Sequence, residues 1–372
     1  MFERRLLKNL DWPLVAAVMA LALFGLAMIY SATFSNRDLT GGDALRLVKR
    51  QALWLGVGLV AAAVFAYVDY QRWGRLHRLI YAAVVIGLLG VLAWGHAAGG
   101  AARWVGVGSM RFQPSEFAKI GVVITLAAML ARRGQGASQL GMAGAALVHV
   151  GIPAVLIALQ PDLGTALVLA VLWFVMLFLA GARKRHLAVA ALAVAVLFAG
   201  AWRFDVLRPY QKARLAVFLN PGVDPLGSGY HVIQSKIAVG SGQLRGKGYL
   251  DGTQSQLHFI PAQHTDFIFT VVGEELGFVG AICLLALLMV VVWRGLEIMD
   301  RADDAFGTLL AGGLVAVIAL QVLVNVGMTV SIMPITGLPL PFVSYGGSSL
   351  VASMMAVGLL LSIGMRRQRI RF

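Results

Sequence analysis

Asp266 stands where a charge is costly: it follows a polar, glycine-rich run, 246–265, and directly precedes an apolar, helix-period run, 267–293, long enough to cross a bilayer. A carboxylate at such a boundary, in a chain rich in Arg and Lys, suits general-base work on a substrate that carries phosphate. Two further acids, Glu274 and Glu275, lie about two turns deeper. Ionisable side chains within spans cost about 2.5–3.5 kcal/mol each unless they face a cavity or a partner, so this end of the helix is the first candidate for a working site.

A second set of candidates opens other apolar runs. In RWVGVGSMRFQPSEFAKI, 103–120, Arg103 and Arg111 precede a helix that starts near Ser115, and Glu116 and Lys119 fall at i, i+3 on one face of it. That spacing fits either a structural ion pair or a site facing a cavity. QPDLGTA, 160–166, repeats a Gln-Pro followed by an acid at a helix start, and Asp162 there is either a helix cap or part of the site. GSGQLRGKG, 240–248, lacks the spacing of a phosphate loop and has no strand before it, which leaves flexible loop glycines, with Arg245 and Lys247 placed to contact a phosphate. His258 and His264 lack metal-ligand spacing, and no Ser/His/Asp set is legible. Gln321 and Asn325, four residues apart in an apolar run, fit bonds between neighbouring helices rather than ligands.

The elements that must hold these residues are membrane helices. The chain of 372 residues is 59% hydrophobic and 13% charged, with mean hydropathy +0.81, far more apolar than a soluble domain of its size. Ten apolar runs fall at roughly 13–34, 52–68, 78–95, 115–131, 141–159, 163–181, 187–203, 267–293, 306–330 and 347–364. The expected fold is all-α and polytopic, one membrane domain over 1–372 with a large extracytoplasmic loop at about 204–265. That loop carries turn chemistry around Asn220-Pro221-Gly222 and an amphipathic run, 230–239, suited to the membrane surface, although a mere linker is the plainer alternative.

A net charge of +14 would suggest nucleic acid in a soluble chain, but here the cations lie between apolar runs and report topology. Seventeen Lys and Arg lie on the side of the two termini, against six in the two short loops opposite, which puts both termini in the cytoplasm. The single cysteine, Cys283, lies inside a span and excludes an internal disulfide.

At NVGMTVSIMPITGLPLPFVSYGGSS, 325–349, the chain resembles the SEDS family of shape, elongation, division and sporulation proteins. The likeness runs on through 103–120, QPDLGTA, QSKIAVGSGQLRGKG and HTDFIFTVVGEELGF, in family order, and the run 252–269 with Leu-Pro-Leu-Pro at 338–341 is nearer the elongation branch. Ser331 stands where the signature has Gly, a departure expected to affect local packing only. The resemblance implies a peptidoglycan glycosyltransferase of the bacterial inner membrane that polymerises lipid II outside the cell. Its implied partners are a class B penicillin-binding protein and the membrane proteins of the elongation complex; nucleic acid is not among them. It maps the essential acid onto Asp266 and further site residues onto Glu116, Lys119, Arg103 and Asp162. Cations near the site, with Arg245 and Lys247 among them, would neutralise a departing pyrophosphate directly or beside a divalent cation, Mg or Mn; no other cofactor is implied.

Two other classes fit a polytopic chain with buried charge: a lipid flippase or transporter, and a scaffold for a cell-wall transpeptidase. Transport favours midplane charges and broken helices in two matching halves, whereas these charges gather at one face and no internal repeat is visible.

The Lys/Arg asymmetry predicts that an impermeant reagent applied to intact cells labels cysteines placed in the first loop or in 204–265, after Cys283 is replaced. Arg301→Cys is expected to stay unlabelled, and its labelling from outside would invert the topology.

Overall fold

The structure, a computed structural model, describes residues 9–36, 40–98, 101–107, 110–133, 140–203, 209–224, 227–257, 259–260 and 262–366. His258, Arg208 and the cations before position 9 and after 366 lie outside them. All ten apolar runs are helical. In chain order come α1 (Trp12–Thr33), α2 (Arg46–Tyr67), the short α3 (Tyr70–Arg75) and α4 (His77–Trp94). Strands β1 (His96–Ala98), β2 (Ala101–Val107) and β3 (Met110–Phe112) lead into α5 (Pro114–Arg133), α6 (Leu140–Leu159), α7 (Leu163–Leu179) and α8 (Lys184–Arg203). Then follow α9 (Pro209–Leu219), α10 (Ser228–Ser241), α11 (Thr253–Gln256), α12 (Ile268–Asp300), α13 (Ala305–Thr329) and α14 (Gly347–Arg366).

Eight of the ten are long and apolar enough to cross a membrane; α7 is apolar but shorter, at 17 residues, and α8 has 20. The membrane architecture is all-α, as expected. The loop 96–112 departs from the expectation of plain loop: it forms a small antiparallel sheet in the order β1-β2-β3, with His96 facing Trp104 and Val105 facing Phe112. The second helix also starts earlier than its apolar run, at Arg46, so Arg46, Lys49 and Arg50 lie on helix rather than in a loop.

Burial follows composition. Helix α14 is buried along nearly its whole length and packs against α2 and α5, while α2 and α4 expose much of their surface, as lipid-facing helices do. Close approach needs small residues: a Cβ at Gly358 would lie 2.4 Å from the Ala62 carbonyl, and one at Gly25 would lie 2.8 Å from the Val343 backbone. The start of α1 and the end of α14 meet at the opposite end of the bundle from the sheet. There Asn9 Nδ2 reaches the Met365 carbonyl at 3.5 Å, Arg294 pairs with Asp11 at 2.6 Å, and Arg366 donates to the Ala66 carbonyl at 3.1 Å.

Helix α12 is broken. Gly277 has φ 65 and ψ −162, so the element consists of a half-helix 268–276 and a longer helix beyond it. Such a break leaves carbonyls on one side and amides on the other without helical partners. The stretch 243–248 fills the gap: Lys247 N and Gly248 N donate to the Glu274 and Glu275 carbonyls at 3.0 Å, and Phe278 N and Val279 N donate to the Gln243 and Leu244 carbonyls at 2.8 and 3.1 Å. The glycines here are therefore not flexible spacers. A Cβ at Gly242 would sit 1.9 Å from the Gly273 carbonyl, and one at Gly246, whose φ is +77, would sit 2.1 Å from the Glu275 carbonyl.

The rest of the 209–265 segment is likewise structured rather than a mere linker. Val232, Ser235 and Ala238 turn one face of α10 inward, and Ser235 Oγ bonds Thr270 Oγ1 at 2.9 Å and the Thr329 carbonyl at 2.7 Å, while Ile233, Lys236 and Ile237 face outward. This carries out the amphipathic pattern of 230–239.

Backbone geometry also revises the expectation for Ser331, which has φ +62. Its departure from Gly is a matter of left-handed strain rather than packing, at about 1–2 kcal/mol for an L-residue. Gly246→Ala is expected to lower the thermal unfolding temperature of the protein in detergent sharply, and Ser331→Gly to raise it, by about 1 kcal/mol or less in stability. Gly240→Ala, with open space around it, provides the neutral comparison in the same assay.

Candidate active site

Asp266 lies in the turn 262–267 that feeds α12, and three neighbours fix that turn from different directions. Gln263 Nε2 donates to the Ala32 carbonyl at the end of α1, 2.7 Å, and to the Ser255 carbonyl, 2.8 Å. Ser344 Oγ donates to the Thr265 carbonyl at 2.6 Å and accepts from Leu340 N at 2.8 Å, and Tyr345 N donates to the His264 carbonyl at 2.9 Å. Asn325 Nδ2, from α13, donates to the Asp266 carbonyl at 2.8 Å. The side chain of Asp266 rests against the non-helical stretch between α13 and α14: a Cβ at Gly337, whose φ is +74, would lie 3.3 Å from Asp266 Oδ2.

That same stretch links Asp266 to the second set of candidates. At Gly164, on α7, a Cβ would lie 2.7 Å from the Thr336 carbonyl and 3.1 Å from Leu338, so the start of α7 abuts the residues flanking Gly337. Asp162 is buried and caps α7, accepting from Thr165 N at 3.3 Å and Thr165 Oγ1 at 3.0 Å. It also accepts from Ser115 Oγ at 3.3 Å, which ties it to the start of α5. One helical turn on, Lys119 Nζ and Glu116 Oε1 form a 2.8 Å ion pair with side-chain exposures of 2% and 3%. Gln113 N donates to Ser348 Oγ at 3.0 Å, joining the start of α5 to that of α14.

Four helices, α5, α7, α12 and α14, thus begin around one non-helical stretch, 331–346. These N-termini meet the C-terminal end of α13 and the Asp162 carboxylate that caps α7, so amide ends and carbonyl ends stand side by side here.

The remaining candidates lie apart from this cluster. Lys247 Nζ is bound to Glu274 at 2.8 Å and Thr253 Oγ1 at 2.7 Å, at the far end of the half-helix from Asp266, and Arg245 beside it is exposed. Lys247 thus has a structural partner within the fold. Glu274, fully buried, takes up a bond from Ser255 Oγ at 2.6 Å and from the amides of Gln254 and Ser255 at 2.8 and 3.0 Å, so it caps α11 from across the segment. Glu275 accepts from Ser31 Oγ at 2.6 Å. These two acids fasten the 209–265 segment rather than extend the Asp266 site. Arg103 lies in β2, and its side chain and that of Arg111 are outside those described.

Two residues near Asp266 were not singled out as site residues from the sequence. Burial holds the His264 imidazole down at about 4, so it is neutral near pH 7, and its ring lies 5.6 Å from that of Tyr345. Burial raises the Tyr345 hydroxyl, while Arg50, on α2, lowers it through charge and a hydrogen bond; Arg50 thus stands beside the turn that holds Asp266. Asn325 was read as a helix–helix bond and instead holds two loop carbonyls.

This is a polytopic membrane protein with a carboxylate-bearing turn framed by helix N-termini at one end of its bundle. The profile of the FtsW/RodA/SpoVE family, described as a cell cycle protein, matches residues 11–369, and the chain belongs to that family. It is 42% identical to the peptidoglycan glycosyltransferase MrdB of Escherichia coli K12, over 97% of this chain and 95% of that one. It is 38% identical to stage V sporulation protein E of Bacillus subtilis, over 95% and 96%. Among solved structures it resembles a chain of a peptidoglycan synthase complex that coordinates polymerization and crosslinking, at 32% identity and TM-score 0.81, covering 97% of this chain and 99% of that one. The rod shape determining protein RodA of Thermus thermophilus matches at 30% identity and TM-score 0.70, over 96% and 97%.

Breaking a buried ion pair by removing one partner costs about 3–5 kcal/mol. Glu116→Gln and Lys119→Met alone are therefore each expected to lower thermal stability, and the double variant to regain most of it, in a double-mutant cycle read by unfolding in detergent. Additive losses would show that the two charges are not coupled.

Proposed function

We propose that this chain is a peptidoglycan glycosyltransferase that polymerises lipid II at the outer face of the bacterial inner membrane, with both termini in the cytoplasm and Asp266 as its general base. The observation that carries the reading is the placement of Asp266: a carboxylate at the start of a membrane-length helix, its carbonyl held by Asn325 and its turn tied to Ser344 and to α1, beside the starts of α5, α7 and α14. The names of its relatives, peptidoglycan glycosyltransferases over nearly their whole length, support the same activity.

In this reading the acceptor's sugar 4-hydroxyl gives its proton to Asp266 while its oxygen attacks the anomeric carbon of the donor, and polyprenyl pyrophosphate leaves from the opposite face with inversion. One base and an activated leaving group suffice, so the carboxylate pair of glycoside hydrolysis is not needed. In this reading Arg103 meets the developing charge on the pyrophosphate. Lys119, neutralised by Glu116, acts on that charge only if the pair opens. A divalent cation, Mg or Mn, would come with the pyrophosphate: among the described residues no three His, Cys, Asp or Glu side chains form a ready-made site.

The partner in this reading is a class B penicillin-binding protein within the elongation machinery, in keeping with the likeness to a synthase complex chain. A broken helix is a mark of transporters, and α12 has one. Its exposed backbone groups are, however, bonded by the chain's own stretch 243–248 and do not line an ion path, which favours chemistry over transport.

Asp266→Asn keeps the shape and a hydrogen bond yet cannot accept a proton usefully. It is expected to lower polymerisation of purified lipid II by about 10²–10⁴-fold with lipid II binding and folding near wild type. A variant within a few-fold of wild type would remove Asp266 from the role of base, and a purified wild-type protein that makes no polymer would point to transport or scaffolding.

A further inference from the structure

We propose that Asn325 is a positioning residue for Asp266, its side-chain amide clipping together the two backbone segments that form the Asp266 site. The inference rests on Asp266 being the general base. Asn325 is fully buried near the end of α13, and both of its amide protons are used: Nδ2 donates to the Asp266 carbonyl at 2.8 Å and to the Leu338 carbonyl at 2.7 Å. Because both partners are carbonyls, they fix which way the amide faces.

Neither carbonyl belongs to a helical ladder. Asp266 precedes Phe267, the N-cap of α12, and Leu338 lies in the non-helical stretch before α14. Holding the Asp266 carbonyl fixes the 266–267 peptide, and with it the direction in which the Asp266 side chain leaves the backbone. The second bond fixes the opposing wall, since Leu338 follows Gly337, the residue against which Asp266 Oδ2 rests. The contacts close a ring: Asp266 side chain to Gly337, Leu338 carbonyl to Asn325, and Asn325 back to the Asp266 carbonyl.

A residue that only joined helices would bond a side chain or backbone group of a neighbouring span. Asn325 bonds none among the described residues; its amide spends both donors on the two segments that meet at the carboxylate. Gln321, one turn earlier on α13 and equally buried, has an Nε2 without a partner among the described residues and makes a matched comparison.

The experiment uses the full-length protein in detergent with lipid II. It measures kcat and KM per active molecule, counted from lipid II binding stoichiometry, and the pH dependence of kcat, for wild type, Asn325→Ala, Gln321→Ala and Asp266→Asn. A misplacement of about 1 Å at a reacting group costs up to about 10²-fold, so Asn325→Ala is expected to lose between about tenfold and a hundredfold in kcat. KM should stay within about twofold, because only transition-state geometry is disturbed. The acid limb of its pH–rate profile should be displaced, while Gln321→Ala matches wild type in all three measures. A loss of folded material alone would lower yield without moving the limb. If Asn325→Ala shows wild-type kcat per active molecule and a superimposable limb, or if Gln321→Ala displaces the limb equally, the positioning role is wrong. Should Asn325→Ala not fold, Asn325→Ser, which keeps one hydroxyl donor, is judged by the same criteria. The Asp266→Asn arm stands separately: activity within a few-fold of wild type there would overturn the base assignment itself, whatever Asn325 does.

Discussion

The structure depends on how the break at Gly277 is repaired. A membrane span cannot leave backbone amides and carbonyls bare in lipid, yet α12 interrupts its own ladder there. Four hydrogen bonds from 243–248 close the gap, and they require glycine at 242 and 246, because any Cβ would collide with the half-helix backbone. The same joint holds Glu274 and Glu275, whose bonds reach α11 and α1. The half-helix 268–276 is therefore part of the segment 209–265 as much as part of the span. Asp266 sits at its free end and inherits its placement from both.

Among the described residues the buried Lys119 and the partly buried Lys247 are both paired with carboxylates. The pair of Glu116 and Lys119 is internally neutral, and Lys247 is taken up by Glu274. Among the described residues Arg50 stands beside Tyr345 there, and the starts of α5, α7, α12 and α14 lie against the end of α13 and the Asp162 cap.

Helix number and position were legible because ten long apolar runs leave no other structure possible in lipid. Asp266 and the Glu116–Lys119 spacing were legible because charge near a span is rare enough to stand out. Other features left weaker marks. The sheet over 96–112 is short and rich in Gly and Ala, without the β-branched alternation that marks a strand. The glycines of 240–248 looked like flexible loop because their need, close approach to Gly273 and Glu275, exists only across the fold. Asn325 looked like a bond between helices because sequence cannot say that its partners are carbonyls of two loops. Ser331 was visible as a departure, but its positive φ was not.

The order in which the chain is made gives the two acids of α12 a further meaning. The groups bonded to the Glu274 and Glu275 side chains, Ser31, Lys247, Leu250, Thr253, Gln254 and Ser255, all precede them in the sequence, as do Gln243 and Leu244, which close the break. When α12 emerges during synthesis, the cation that pairs with Glu274 and the hydrogen-bond donors to both acids have already been translated, so part of the insertion cost of about 2.5–3.5 kcal/mol per charge can be offset as the helix enters the bilayer. Around Asp266 the order is mixed: Ala32 and Ser255, bonded by Gln263, precede it, and Asn325, Gly337 and Ser344 follow it. The residues that fasten the segment 209–265 to α12 are thus made before those that close the Asp266 turn from the side of α13 and α14.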